Sequence, residues 1–489
     1  MRGALVSLFV ALGLLVSAGA AAATLVVSVG RNAVARVQPG FLGLSMEIRG
    51  VEAYTGFDSE RVDPVFEQLI RQLDPGQHPV LRLGGDTTDW TWYPVRGMGR
   101  PFGVRYALNA TWFKVVRSLA QGTNARLILG VNLEADRTRV AAAEANAMIT
   151  RIGRPWLQAL QLGNEPDLYN IQASYTVNGV PHFARGSGWG FGPWLTDYAR
   201  IRRAMPDFPL AGPEVGQLPW TNEVGPFLSS EPQVRIATLH LYALGCIPSK
   251  PATIPNLFSD TYTRGFPSML RSGIAAAHAH RIPFRLDEMN TVSCAGQYGV
   301  SDRFASALWI LDVLFELARA GVDGVNVHTR EGTANQIFHV RQIHGRWVGT
   351  VSPEYYGMLA FARAAPTGSR LLSVAGAGTG PVHVWATKAP GAPEQVVLIN
   401  LDTVGHTVLV RVPGPRVATL DRLSAPNVAA SGHVTLGGQS VANQSRTGLL
   451  HGVAHLIRIR RLRTGYSVWL PPANATILRL APAQRRKIN

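Results

Sequence analysis

The sequence predicts an α/β chain: a (β/α)8 TIM barrel followed by an accessory C-terminal antiparallel β-sandwich that also uses N-terminal strands. Three observations predict it. Short apolar runs alternate with helical patterns across residues 39–366, as in a parallel α/β domain. From 367 to 489 the pattern changes to short β-rich runs separated by Gly, Pro and Asn turns. Two of the barrel runs lead into carboxylates, Glu165 and Glu288, at strand ends, the face of such a barrel where functional groups collect. A length of 489 residues suits a barrel of roughly 300 residues plus a second domain.

The chain opens as a targeting segment, residues 1–23. Met1-Arg2 is a basic start, Leu5 to Val16 an apolar run, and Ala20 to Ala23 a small-residue cleavage region. The apolar run is short for a membrane span, so the mature protein is expected to be secreted or periplasmic, with no stable membrane insertion once the segment is removed. Residues 24–38 alternate apolar and polar side chains, Leu25, Val27, Val29, Ala33 and Ala35, and read as one or two strands joining the sandwich.

Barrel strand one is read at Gly40 to Glu47 and strand two at His78 to Asp86, with a helix at Ser59 to Leu73 between them. An aromatic loop, Trp90, Trp92 and Tyr93, follows strand two; such rings stack on sugar faces or pack as core. A helix at Leu108 to Gln121, strand three at Ala125 to Leu133 and an Ala-rich helix at Ala135 to Ile152 come next. Strand four enters Asn164-Glu165-Pro166, where Pro166 biases Glu165 away from helix. A glycine-rich loop, Gly186 to Gly192, precedes a helix at Trp194 to Arg203. Strand five, the weakest, is placed at Phe208 to Gly212 and strand six at Val234 to Tyr242. Helix Ser268 to Arg281 leads to strand seven and Glu288. An amphipathic helix at Ser301 to Ala320, strand eight at Val322 to His328 and a helix at Pro353 to Ala364 close the ring.

Composition narrows the function. With 46% hydrophobic and 16% charged residues the chain is globular rather than disordered. The net charge of +16 favours anionic partners such as acidic polysaccharide, although the basic runs Arg458 to Arg463 and Arg485-Arg486-Lys487 lie far in sequence from the carboxylates. No dinucleotide or phosphate-loop glycine motif follows any strand, no Gly-x-Ser-x-Gly elbow is present, and no HExxH spacing supports a metal. The expectation is therefore no cofactor, no metal and no nucleic-acid partner.

A carboxylate pair on two strand ends suits glycoside hydrolysis, in which one carboxyl protonates the leaving oxygen and the other attacks the anomeric carbon or activates water. The amide of Asn164 is positioned to meet a sugar hydroxyl, and His240 and Tyr242 on strand six are placed to orient Glu288. Cys246 follows His240 by six residues and Cys294 follows Glu288 by six, so neighbouring strands would put them at equivalent points on the barrel rim, as a disulfide.

Taken together, several stretches resemble glycoside hydrolase family 79, the β-glucuronidase/heparanase family: Phe41 to Glu47, Leu81 to Asp86, Asn164-Glu165-Pro166, Asp287 to Asn290 through Cys294-Ala295-Gly296, Gly299 to Asp302, and Pro353 to Gly357. The resemblance implies Glu165 as acid/base and Glu288 as nucleophile of a retaining, two-step mechanism. It also implies a uronic acid in the subsite before the scissile bond, with backbone N–H groups of Ala295 and Gly296 on its carboxylate and Glu47 and Asp86 on sugar hydroxyls. Members often carry a Tyr in the loop after strand eight; Glu331 to Gln336 has none. The residues leave two other readings open: a related retaining xylosidase or arabinofuranosidase, and a non-catalytic polyanion-binding protein.

Overall fold

In a computed structural model of the chain, the described residues are 24–247, 251–376, 380–414 and 416–482. The targeting segment and the run Arg485-Arg486-Lys487 lie outside them. Eight parallel strands close into a barrel: Leu42–Glu47, Val80–Gly84, Arg126–Val131, Leu157–Leu162, Leu210–Val215, Val234–Leu244, Phe284–Val292 and Gly324–Thr329, strands one to eight in chain order. Strands eight and one pair in register from Val325 opposite Leu42 to Thr329 opposite Met46. Strands six and seven run well past the others, so His240, Tyr242 and Glu288 lie within paired strands rather than at their ends; His240 sits opposite Glu288.

One strand expectation shifts, and two hairpins are added. Strand five begins and ends later than expected, reaching Val215, because Pro213 is accommodated inside the strand rather than ending it. Two hairpins, Ala173–Val177 with Val180–Phe183 and Phe338–Ile343 with Arg346–Val351, are additions on the barrel loops. Helix boundaries follow the local chemistry. The helix Pro64–Leu73 starts later than Ser59, because Asp63 accepts a bond from Val65 N–H at 2.8 Å and Pro64 fills the first turn. Its Val65, Phe66, Leu69, Ile70 and Leu73 form the buried stripe.

The helix Phe304–Ala320 is not amphipathic in place: every residue from Phe304 to Ala318 is buried, Asp312 and Glu316 included. The reason is its position between barrel and sheet domain. Asp312 binds across the domain boundary, with His383 Nδ1 at 2.6 Å and Trp385 Nε1–H at 2.8 Å. A polar side chain on a buried helix face is thus satisfied by the second domain.

The second domain is, as expected, a separate sheet domain: ten strands connected in one sheet that curls over its own apolar core. It is mostly antiparallel. The N-terminal strand Leu25–Arg36 lies inside it, antiparallel to Arg370–Ala375 and parallel to His406–Arg411. Val27 and Val29 point into the core beside Val408, Val410 and Val468. Among the described residues no helix is long and apolar enough to cross a membrane.

Within the barrel, Val80, Ile128, Ala159, Ala211 and Ile236 form a small apolar layer. Val80 stands two residues before Arg82 and Ile236 two before Thr238. Strand alternation therefore stacks the polar layer directly above the apolar one, toward the C-terminal face.

Candidate active site

The polar layer is organised around Arg82, a fully buried arginine on strand two that the sequence reading passed over. Its guanidinium donates from Nη1 to Glu288 Oε2 and, at 3.1 Å, to Ser45 Oγ. From Nη2 it donates to Asn164 Oδ1 at 2.8 Å and Glu214 Oε2 at 3.2 Å. One side chain thereby ties together strands one, two, five and seven and the loop after strand four. The signal was present: an arginine in an apolar strand run, Leu81-Arg82-Leu83, has to point inward or outward, and only paired acids make the inward choice stable.

Glu288 also accepts a bond from Tyr242 O–H at 2.8 Å on its other oxygen. Burial favours the protonated acid. The charges of His328, His240 and Arg82 and the Tyr242 bond outweigh it, holding the Glu288 carboxyl well below the usual carboxylate range. Burial pushes His328 itself toward the neutral form, so the permanent charge of Arg82 is the dependable part of that field.

His240 departs from expectation. It does not hydrogen-bond Glu288: its Nδ1 lies 3.1 Å from Glu165 Oε1 and its Nε2 3.2 Å from Glu214 Oε2. Burial opposes the charged imidazole, but Glu288, Glu165 and Glu214 raise its pKa well above the usual value. Glu214, also missed in the sequence, is a further buried carboxylate. Burial raises it, yet the His240 bond, the Arg82 and His240 charges and a 2.5 Å bond from Thr238 hold it low. Asp287 is the reverse case: burial first, then the Glu214 charge, push it well up, toward the neutral acid. The buried layer therefore balances two cations, Arg82 and His240, against two anions, Glu214 and Glu288.

Glu165 stands at the rim of this layer. Its backbone is left-handed, φ 44° and ψ 54°. Pro166 disfavours the right-handed helical conformation, and the left-handed alternative costs a non-glycine residue about 1–2 kcal/mol. Two backbone bonds of 2.8 Å hold it there, Glu165 N–H to Glu214 C=O and Leu168 N–H to Glu165 C=O. One oxygen of Glu165, one of Glu288 and a ring nitrogen of His240 all lie within 4.8 Å of one another. A cation has little room among them, since Arg82 already donates to Glu288 and Glu214 from within the same cluster.

The remaining predicted residues divide. Asn164 is buried; Arg82 takes its Oδ1, which leaves its Nδ2 facing the site. Glu47 is buried and accepts from Thr87 N–H at 2.9 Å and Thr87 O–H at 2.7 Å. Burial raises its pKa. Asp86 lies beside it. Burial, then the charges of Glu47, Glu165 and Glu288, push the Asp86 carboxyl up to about 7. Gly85 is required here: its φ is +67°, and a Cβ would sit 2.7 Å from the Glu47 carboxylate.

Cys246 and Cys294 form a disulfide with Cα atoms 6.0 Å apart, bridging the loops after strands six and seven. Beyond it Ala295 and Gly296 both have positive φ. Gly296 N–H already donates to Ser293 C=O at 3.2 Å, so it is not a free donor as expected. Of the aromatic loop, Trp92 is core, whereas Trp90 lines the cavity beside Glu165, with Arg105 stacked 4.0 Å over its ring.

No protein-family model matches the chain. It is 24% identical over 365 residues to a β-glucuronidase of Neurospora crassa, an alignment covering 66% of this chain and 62% of that protein. The chain thus spans less than two thirds of that relative's length. Among solved structures, a 4-O-α-L-rhamnosyl-β-D-glucuronidase from Fusarium oxysporum 12S superposes with a TM-score of 0.73 at 18% identity, over 93% of this chain and all of the other. A GH51 arabinofuranosidase from Xanthomonas axonopodis pv. citri gives 0.64 at 15% identity, over 93% and 99%. A GH30 endoxylanase from Clostridium papyrosolvens C71 gives 0.54 at 12%, over 93% and 99%. The shared feature is the fold, a closed eight-stranded barrel with a separate sheet domain.

Proposed function

We propose that this chain is an exported retaining glycoside hydrolase that releases β-linked glucuronic acid from glycans or glycoconjugates. The observation that carries the reading is the approach of Glu165 and Glu288, with oxygens within 4.8 Å across the top of the barrel. Carboxyls about 5–5.5 Å apart leave no room for a water between acid and anomeric carbon, whereas inverting sites hold theirs about 6.5–9.5 Å apart. Glu288, kept ionised by Arg82 and aimed by Tyr242, attacks the anomeric carbon as Glu165 protonates the departing oxygen. Glu165 then takes a proton from water, the water oxygen bonds to the anomeric carbon, and Glu288 leaves as carboxylate.

The glucuronide preference draws support from the Neurospora crassa relative and the Fusarium oxysporum structure, both glucuronidases, and from the basic character of the chain. It rests on resemblance to family 79 as well. The arabinofuranosidase and xylanase structures share the barrel and keep a neutral-sugar reading in play. Hydrolysis of p-nitrophenyl β-D-glucuronide, β-D-glucoside, β-D-xyloside and α-L-arabinofuranoside separates them. The glucuronide should be preferred at least tenfold; activity confined to a neutral glycoside would overturn the substrate while leaving the mechanism.

A further inference from the structure

We propose that Arg330, at the end of barrel strand eight, is the residue that selects an anionic sugar by pairing with its carboxylate. The inference rests on the glucuronidase reading above and names the group that enforces it.

The charge inventory of the site motivates it. Four acids, Glu47, Asp86, Glu165 and Glu288, lie close enough together at the top of the barrel for the charges of the other three to act on Asp86. A sugar bearing its own carboxylate is repelled by them unless a cation meets it. Arg82 does not meet that need: it is wholly buried, and both its terminal nitrogens already bond Glu288, Ser45, Asn164 and Glu214. His240 and His328 are buried as well. Among the described residues, Arg330 is the cation within 4 Å of these acids that keeps substantial exposure, 35% of its side chain.

Its geometry leaves an edge open. Nη1 alone turns to the acids, 3.4 Å from Asp86 Oδ2 and 3.6 Å from Glu47 Oε1. Nε and Nη2 have no hydrogen-bond partner among the described residues. A planar guanidinium with a free edge matches a carboxylate with two parallel bonds. The Asp86 carboxyl, raised to about 7, is partly neutral at physiological pH, which leaves more of the Arg330 charge for an incoming anion.

The position is fixed relative to the chemistry. Thr329, the preceding residue, is buried and paired with Met46 of strand one, and Tyr54 O–H lies 3.2 Å from its hydroxyl. A short chain of contacts links Arg330 to the proposed nucleophile: Glu47 Oε1 lies 3.8 Å from His328 Nε2, and His328 Nδ1 lies 3.7 Å from Glu288 Oε2. Arg330 and Glu288 thus stand at the same end of the barrel, and the charges of both act on Asp86.

The test compares p-nitrophenyl β-D-glucuronide with p-nitrophenyl β-D-glucoside, which differ only in carboxylate against hydroxymethyl. In Arg330→Gln the ratio of their kcat/KM values should fall about 100-fold, the worth of a charge-assisted pair, mainly through KM of the glucuronide. Arg330→Lys, which keeps the charge but not the planar fork, should recover part of it. An unaltered thermal melt shows that the variants fold. Parallel loss on both substrates, or no change in the ratio, overturns the assignment and leaves Arg330 as a counter-charge to Glu47 and Asp86. A wild-type enzyme that prefers the glucoside overturns the glucuronidase reading itself, and this inference with it.

Discussion

Replacing Gly216 with alanine tests the placement of Glu165 without touching its side chain. Gly216 follows strand five, and its φ lies outside the left-handed region, so alanine meets no backbone strain. The added Cβ would stand 2.6 Å from Glu165 Oε1, about 0.8 Å inside the 3.4 Å at which ordinary contact begins. The obstacle is the end of a side chain, which can swing away, so the protein should fold with little loss of stability. The carboxylate, however, moves by about that 0.8 Å, and the oxygen displaced is the one 3.1 Å from His240 Nδ1. A misplacement near 1 Å costs on the order of 100-fold in a positioned catalytic group, and the lost charged hydrogen bond, about 1.5–3 kcal/mol, points to a similar size. In Gly216→Ala, kcat/KM should fall about 30- to 100-fold for an alkyl or sugar aglycone but only a fewfold for a 2,4-dinitrophenyl leaving group, which needs little protonation. Steady-state rates on the two substrates, with a melting curve as control, decide it. Full activity on both would refute the placement of Glu165 as acid/base, and equal loss on both would refute its role in leaving-group protonation.

Two further outcomes are expected. Glu288→Ala should abolish turnover of every glycoside, whereas Glu165→Ala should spare activated aryl substrates by a factor of about 100 or more relative to poor leaving groups; similar losses in both variants would exchange or remove the roles. Asp63 caps the helix Pro64–Leu73 from a buried position, and burial pushes its carboxyl up to about 7. A raised acid favours folding when protonated, so its contribution is complete below its unfolded value of about 3.9 and is lost as pH rises through about 7. Asp63→Asn should keep the cap and flatten the Tm profile between pH 4 and 7, raising Tm at pH 8; an unchanged slope would contradict the buried-acid account.

The barrel was legible because its units are local. The helix Pro353–Ala364 lies where Pro353 and its apolar spacing put it, and the cysteine pair followed from equal offsets on neighbouring strands. Glu165 and Glu288 stood out because each follows or sits within an apolar run. What the sequence hid is relational. Glu214 escapes notice because the sequence places strand five at Phe208 to Gly212, whereas the strand continues to Val215. Arg82 was counted as an ordinary strand residue, since nothing local states that three carboxylates converge on it from strands five and seven. His240, at the top of strand six, is expected to orient Glu288 and does stand opposite it, but its ring turns to Glu165 and Glu214 instead. The helix Phe304–Ala320 looked amphipathic because the partners of its buried Asp312 lie in the sheet domain, some seventy residues onward in the chain. Periodicity reports which face a residue occupies, not which distant side chain meets it there.

The central claim is double displacement by Glu165 and Glu288. The most direct test is the anomeric configuration of the first sugar released, followed by proton nuclear magnetic resonance during hydrolysis of p-nitrophenyl β-D-glucuronide. Retention predicts that β-glucuronic acid appears first and the α anomer only later, by mutarotation. First appearance of the α anomer would mean single displacement, and would contradict the mechanism drawn from the close approach of the two carboxylates.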